Sequence, residues 1–224
     1  MLEAKEKFYF LRNRAYNLFI RTATNHCYKN CLEYLPDNSS ILDVGIGNGI
    51  MLKNYHSLIK GKGLKITGID VNEIYLAHCN SLIRGYQLEN HVEILHVPVE
   101  SYQPPRGQYF DFILFSMSFM LLVDQHLVLD RTRDWLKPGG KIIFFQAMFG
   151  RKYWFIDFIK PKLKYMTTVD FGSAIYEEDF FAVLNEKNLS VSEYRLVKKE
   201  WHKGLYCMIV ASIGDGRGSG CNWP

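Results

Sequence analysis

Apolar residues in this chain gather into short runs set apart by polar, glycine and proline positions. Ile41-Leu42-Asp43-Val44, Lys65-Ile66-Thr67-Gly68-Ile69-Asp70, Val92-Glu93-Ile94-Leu95, Phe110 to Ser116 and Lys141 to Gln146 read as strands. Between them the period changes. Met51 to Lys60 is helical, and residues 73–86 place Tyr75, Cys79, Leu82 and Tyr86 on one helical stripe. Residues 3–35 are helix-prone, with aromatics at Phe8, Tyr9, Phe10, Tyr16 and Phe19. The cluster Pro36-Asp37-Asn38-Ser39-Ser40 is a turn, and Pro104-Pro105-Arg106-Gly107 is a loop before the fourth strand. Two β-rich runs in 189–199 and 205–213, linked around Lys203-Gly204, read as a closing hairpin. Strands alternating with helices predict an α/β domain with a parallel sheet. No internal repeat and no second domain interrupts the pattern.

The first strand runs directly into Gly45, Gly47 and Gly49. Glycine permits positive φ and lets backbone approach a ligand closely, so a strand–glycine loop–helix unit makes a floor for a nucleotide-like molecule. The spacing is G-x-G-x-G, and Asp43 precedes the glycines. A pyrophosphate would want a helix N-terminus facing it; an acidic residue just upstream suits a cationic ligand better. Asp70 ends the second strand about 20 residues past the loop, where such folds place the acid that binds ribose hydroxyls. The alternative is that Asp70 caps the following helix.

These residues resemble the class I S-adenosylmethionine-dependent methyltransferases. Ile-Leu-Asp-Val-Gly-Ile-Gly-Asn-Gly is similar to that family's first motif and Ile-Thr-Gly-Ile-Asp-Val to its second. Phe110-Asp111-Phe112-Ile113-Leu114-Phe115-Ser116 resembles the fourth, and Leu136-Lys137-Pro138-Gly139-Gly140-Lys141 the turn before the fifth strand. The resemblance covers residues 39–213 in order. It implies a Rossmann-like single domain with a seven-stranded, mostly parallel sheet, an antiparallel C-terminal hairpin and helices on both faces. It implies S-adenosyl-L-methionine as cofactor, bound by Asp43, Gly45, Ile46, Gly47, Gly49, Asp70, Val71, Val99, Glu100 and Ser116. There is one departure. After the third strand the family often carries an aspartate for the adenine amino group, and here Pro98 stands in its place. Glu100 or the backbone around Val99 is left for that contact. The expected organisation is a helical cover over 1–38, the methyltransferase domain over 39–213 with a lid insert at 149–176, and a flexible glycine-rich tail over 214–224.

Composition adds bounds. The chain has 224 residues, 48% hydrophobic and 22% charged, enough for one α/β domain with a substantial core. A net charge of +4 is too mild to imply nucleic acid. No apolar run approaches the ~18 residues needed to span a membrane, and the N-terminal residues lack a signal-peptide apolar core. Five scattered cysteines suggest reduced thiols and a cytoplasmic setting. Cys27 and Cys31 share a helix face with His26 nearby, but no second pair completes a metal set, so no metal is expected.

The acceptor side is less explicit. Ser116-Met117-Ser118-Phe119 follows the fourth strand, where amino methyltransferases of nucleic-acid bases often carry Asn/Asp-Pro-Pro-Tyr. Nucleic acid is therefore not an expected partner. Met117, Phe119, Met120, Leu121 and Leu122 read either as an apolar pocket wall or as plain packing. Residues 149–165 interleave five basic residues with six aromatics, which suits a lid or a lipid surface. Tyr16, Arg151, Tyr153 and Tyr165 are candidate acceptor contacts, and His126, Tyr153 and His202 candidate bases. The expected reaction is methyl transfer to a nitrogen or oxygen of a small-molecule acceptor. The alternatives are a peripheral-membrane enzyme acting on a lipid or quinone, and a non-catalytic cofactor-binding module.

Overall fold

The computed structural model describes residues 25–149, 176–199 and 204–214. Within them, helix α1 occupies 25–34, followed by β1 Ser40–Val44, α2 Ile50–Gly61, β2 Lys65–Asp70, α3 Glu73–Tyr86, β3 Val92–His96 and β4 Phe110–Ser116. A 3-10 turn, Phe119–Leu121, leads to α4 Gln125–Trp135 and β5 Leu136–Phe149. The described residues end with α5 Glu177–Glu186, β6 Leu189–Lys199 and β7 Gly204–Ile213.

The seven strands form one sheet in the order β3-β2-β1-β4-β5-β7-β6. β1 pairs in parallel with β2 and β4, β2 with β3, and β4 with β5. β7 runs antiparallel between β5 and β6, so the expected closing hairpin is present. β1 has β2 on one side and β4 on the other, and strand order reverses there. This is where an open α/β sheet forms a crevice at the carboxyl ends of its strands.

Two cores flank the sheet. Ile41, Phe112, Leu114, Ile143 and Phe145 join Cys27, Tyr28 and Leu32 of α1, Met51 and Ile59 of α2, and Leu76, Cys79 and Ile83 of α3. Leu42, Ile113, Phe115, Ile142 and Phe144 join Val128 and Trp135 of α4 and Phe180 and Leu184 of α5. Strands covered on both faces need apolar residues at successive positions, hence the continuous runs in β1, β4 and β5.

Some details depart from the sequence pattern. The buried stripe of α3 is Leu76, Cys79 and Ile83, while Tyr75 is exposed. The cap of α3 is Asn72, whose side chain accepts from the N–H groups of Ile74 and Tyr75, so Asp70 is released from that task. β5 starts at Leu136, paired with Phe110, and the following residues bulge before Lys141 pairs with Phe112. Phe119 packs edge-on against Phe115, Phe144 and Phe180, so it belongs to the second core. Among the described residues no helix is long and apolar enough to cross a membrane.

Candidate functional site

Asp43 is the penultimate residue of β1 and is fully buried. Beyond it the chain turns through Gly45, Gly47 and Gly49, all at positive φ. Gly45 N and Ile46 N donate to the carbonyl of Ile69, at 2.8 and 3.2 Å, which ties the loop to β2. At Gly45 a side chain is barred twice over. Its φ is +78°, and a Cβ would lie 2.7 Å from Cβ of Ser118. Ser118 in turn donates its hydroxyl to the carbonyl of Val44. From below, α3 supports the loop: the thiol of Cys79 donates to Gly47 O at 3.3 Å, and His78 Nδ1 lies 2.8 Å from Asn48 O. Gly68 on β2 leaves the space that Ile46 fills.

Asp70 faces this loop with both oxygens engaged. Oδ2 accepts from Gly47 N at 2.8 Å and Oδ1 from Asn72 N at 2.9 Å. Each carboxylate oxygen has a second lone pair, so the group can fix the loop and still accept ribose hydroxyls. Gly49 stands at the N-cap position of α2 and provides no side-chain cap. The first-turn N–H groups of α2 can therefore receive a carboxylate.

Asp43 is held differently. Tyr28 of α1 donates its hydroxyl to Oδ2 at 3.1 Å. Oδ1 has no hydrogen-bond partner among the described residues. Burial pushes this carboxyl up to about 7; the Tyr28 hydrogen bond opposes the rise and the nearby charge of Asp70 adds to it. A buried carboxylate with an open acceptor beside a glycine loop fits a cationic ligand, because a positive charge would satisfy the oxygen and favour its ionised form.

The other expected cofactor residues are spread around the crevice. Val71 follows Asp70 and is largely exposed. His96 bridges this corner, with Nε2 3.1 Å from Val71 O and Nδ1 3.3 Å from Glu73 Oε1. Val99 is buried and Glu100 half-buried, in a turn where Ser101 N and Tyr102 N donate to Pro98 O. Ser116 is buried at the end of β4, its Oγ 3.1 Å from Cys27 Sγ; its hydroxyl is thus engaged by α1.

On the acceptor side, β5 ends at Phe149, which bridges to Tyr176 before α5. Phe149 and Tyr176, the described residues on either side of 150–175, are thus neighbours at the carboxyl end of β5. Arg151, Tyr153 and Tyr165 of that segment, together with Tyr16 and His202, lie outside the described residues. His126 is exposed, its Nδ1 3.7 Å from Glu186 Oε2, linking α4 to the end of α5. Met117, at φ 60°, donates its N–H to Phe145 O. Among the described residues no group of three or more His, Cys, Asp or Glu could hold a metal ion.

Sequence reasoning missed four contributors. Tyr28 and Cys27 reach Asp43 and Ser116 from a separate helix, and Ser118 closes over Gly45. Gln146 on β5 is fully buried with both amide atoms unpartnered among the described residues. A glutamine inside an apolar strand run was the one available signal, and it concerned Gln146 alone.

The family described as a methyltransferase domain matches residues 41–140. The ubiquinone/menaquinone biosynthesis C-methyltransferase UbiE of Wigglesworthia glossinidia brevipalpis is 27% identical over 146 residues, 63% of this chain and 53% of that protein. Malonyl-[acyl-carrier protein] O-methyltransferase 2 of Ilyobacter polytropus is 25% identical over 182 residues, 78% of this chain and 65% of that protein. The chain spans about half the length of most of the curated relatives it matches. A crystal structure of a SAM-dependent methyltransferase from Aquifex aeolicus shares the fold with a TM-score of 0.61 and 22% identity, covering 83% of this chain and 89% of that one. These matches support a class I S-adenosylmethionine-dependent methyltransferase, with the methyltransferase domain over residues 41–140.

Proposed function

We propose that the protein transfers the methyl group of S-adenosylmethionine to a nitrogen or oxygen of a small-molecule acceptor held over the carboxyl ends of β4 and β5. Gln146 carries this reading. An unpaired buried amide costs on the order of 1–3 kcal/mol, and an acceptor bearing a neutral donor–acceptor group would offset that cost. The neighbouring side chains at the ends of β4 and β5 are neutral: Ser116, Met117 and Ser118. An amine lone pair or an already acidic hydroxyl would need no strong protein base there.

When bound, the cofactor supplies a methyl group activated on a sulfonium. Asp43 would provide negative charge beside the glycine loop for the cationic end. Asp70 would accept the ribose hydroxyls while holding Gly47. The first turn of α2 would receive the carboxylate. Val71 and Val99 would border the adenine, and Glu100 or the local backbone would read its edge. Together these contacts would hold the methyl group about 3 Å from the acceptor nucleophile, the proximity that in-line transfer needs. The lid insert expected at 149–176, of which 150–175 lie outside the described residues, would close the pocket against water.

Incubation with isotopically methyl-labelled S-adenosylmethionine and fractionated metabolites tests the proposal. Label on nitrogen or oxygen of a soluble product supports it. Label on carbon, or in lipid only, overturns it. Cofactor binding with no transfer to any fraction would favour the non-catalytic module.

A lipid or quinone acceptor is a second reading, favoured by an apolar ridge after β4. Val123 is 97% exposed, and Leu121 and Leu127 beside it are also exposed. Such residues suit a lipid boundary. Flotation with anionic liposomes separates the two. Binding lost in Leu121→Ser/Val123→Ser would favour the second, and no binding at low salt would remove it.

A further inference from the structure

Helix α1 is fastened to the two strands that flank the crevice. Tyr28, 1% exposed, donates to Asp43 Oδ2 of β1, and Cys27 pairs with Ser116 at the end of β4. The contact between Tyr28 and Asp43 does more than close a core. A carboxylate can accept about four hydrogen bonds, and this buried one shows a single donor among the described residues, with Oδ1 left open. We propose that Tyr28 is a positioning residue for the cofactor: by holding Oδ2 of Asp43 it fixes the carboxylate beside the glycine loop with Oδ1 available to the cationic ligand, so that seating of α1 and binding of S-adenosylmethionine are one linked equilibrium.

The groups around Asp43 explain the linkage. Tyr28 and Cys27 approach from α1, Asp70 from the end of β2 and Cys79 from α3. Burial raises both thiols, Cys27 well above its ordinary value and Cys79 to about 12, so they are neutral near pH 7. Asp70 opposes ionisation of Asp43, and Tyr28 is its one hydrogen-bond donor among the described residues. With its carboxyl near 7, Asp43 in the free protein is partly protonated at neutral pH. A bound cation favours the carboxylate, and the displaced proton passes to solvent. Without the Tyr28 donor, ionisation becomes harder and the cofactor must work against it.

Titration calorimetry from pH 6 to 8.5, in two buffers of different ionisation enthalpy, reads this directly. Wild-type affinity for S-adenosylmethionine should rise about tenfold from pH 6 to pH 8, with proton release to buffer near pH 6. Asp43→Asn should remove that rise; titration of the cofactor's own amino group is common to both proteins and cancels. Tyr28→Phe should displace the rise to higher pH, with affinity lost several-fold near pH 7 and regained above it. Amides of residues 25–34 should exchange more slowly with deuterium when cofactor is added to the wild type. A wild-type affinity that is flat apart from the shared amino-group term, or a Tyr28→Phe loss equal at every pH, overturns the proposal. If Tyr28→Phe does not fold, the wild-type protein decides: exchange at 25–34 unchanged by cofactor is also a refutation.

Discussion

Asp70 accepts the backbone N–H of Gly47 at 2.8 Å across the gap between β2 and the glycine loop. The acid expected to hold the ribose is therefore also a strut for the loop that would lie under the cofactor. Its other oxygen takes Asn72 N at 2.9 Å, which sets the entry to α3. Replacing Asp70 removes two charge-assisted hydrogen bonds as well as any bond to the ligand.

Asp70→Ala is expected to weaken S-adenosylmethionine binding by about 10- to 150-fold, the equivalent of roughly 1.5–3 kcal/mol. Calorimetric titration measures it. Unchanged affinity would remove Asp70 from the cofactor site.

Gly45→Ala and Gly85→Ala form a contrasting pair. The first meets Ser118 at 2.7 Å and a φ of +78°, whereas a Cβ on Gly85 in α3 meets nothing within 4 Å. Gly45→Ala should destabilise by on the order of 3 kcal/mol. Gly85→Ala should stabilise by about 0.5–1 kcal/mol. Urea unfolding of both variants checks the opposite signs.

The free protein should lose stability as pH rises from about 4 to about 7. Burial raises Asp43 to about 7 in the folded state, so folding binds a proton that the unfolded chain releases near its ordinary value. The contribution is full below about 4 and is lost by the time pH passes about 7. Its size is on the order of 4 kcal/mol. Asp43→Asn should flatten this component. Unfolding curves at pH 5 and pH 8 that change equally in wild type and variant would contradict it.

Gln146→Met should raise stability by about 1–2 kcal/mol, because it removes a buried amide with both polar atoms unpartnered. The same change should raise KM for the acceptor while leaving affinity for S-adenosylmethionine unaltered. A drop in melting temperature would show that the amide is satisfied in the folded protein.

The chain order of strands and helices, the glycine loop, Asp43 and Asp70, and the closing hairpin could all be read along the sequence. Each depends on local periodicity or on residues close in the chain: glycines where φ is positive, and apolar runs where both faces of a strand are covered. Tertiary structure alone decided what those residues meet. Tyr28 lies 15 residues from Asp43, Cys27 lies 89 from Ser116, and Ser118 lies 74 from Val44. No local pattern encodes such pairs, because a hydrogen bond depends on where helices settle against the sheet. Asn72 took the helix cap through local bonds to Ile74 N and Tyr75 N, and the contact of Asp70 with Gly47 was decided by how β2 sits beside the loop. Phe119 went to the second core because Phe115, Phe144 and Phe180 converge there, and Gln146 is buried with both amide atoms unpartnered among the described residues. Local chemistry determined the elements and the motif; burial and long-range packing decided the charge state and the partners of the groups within it.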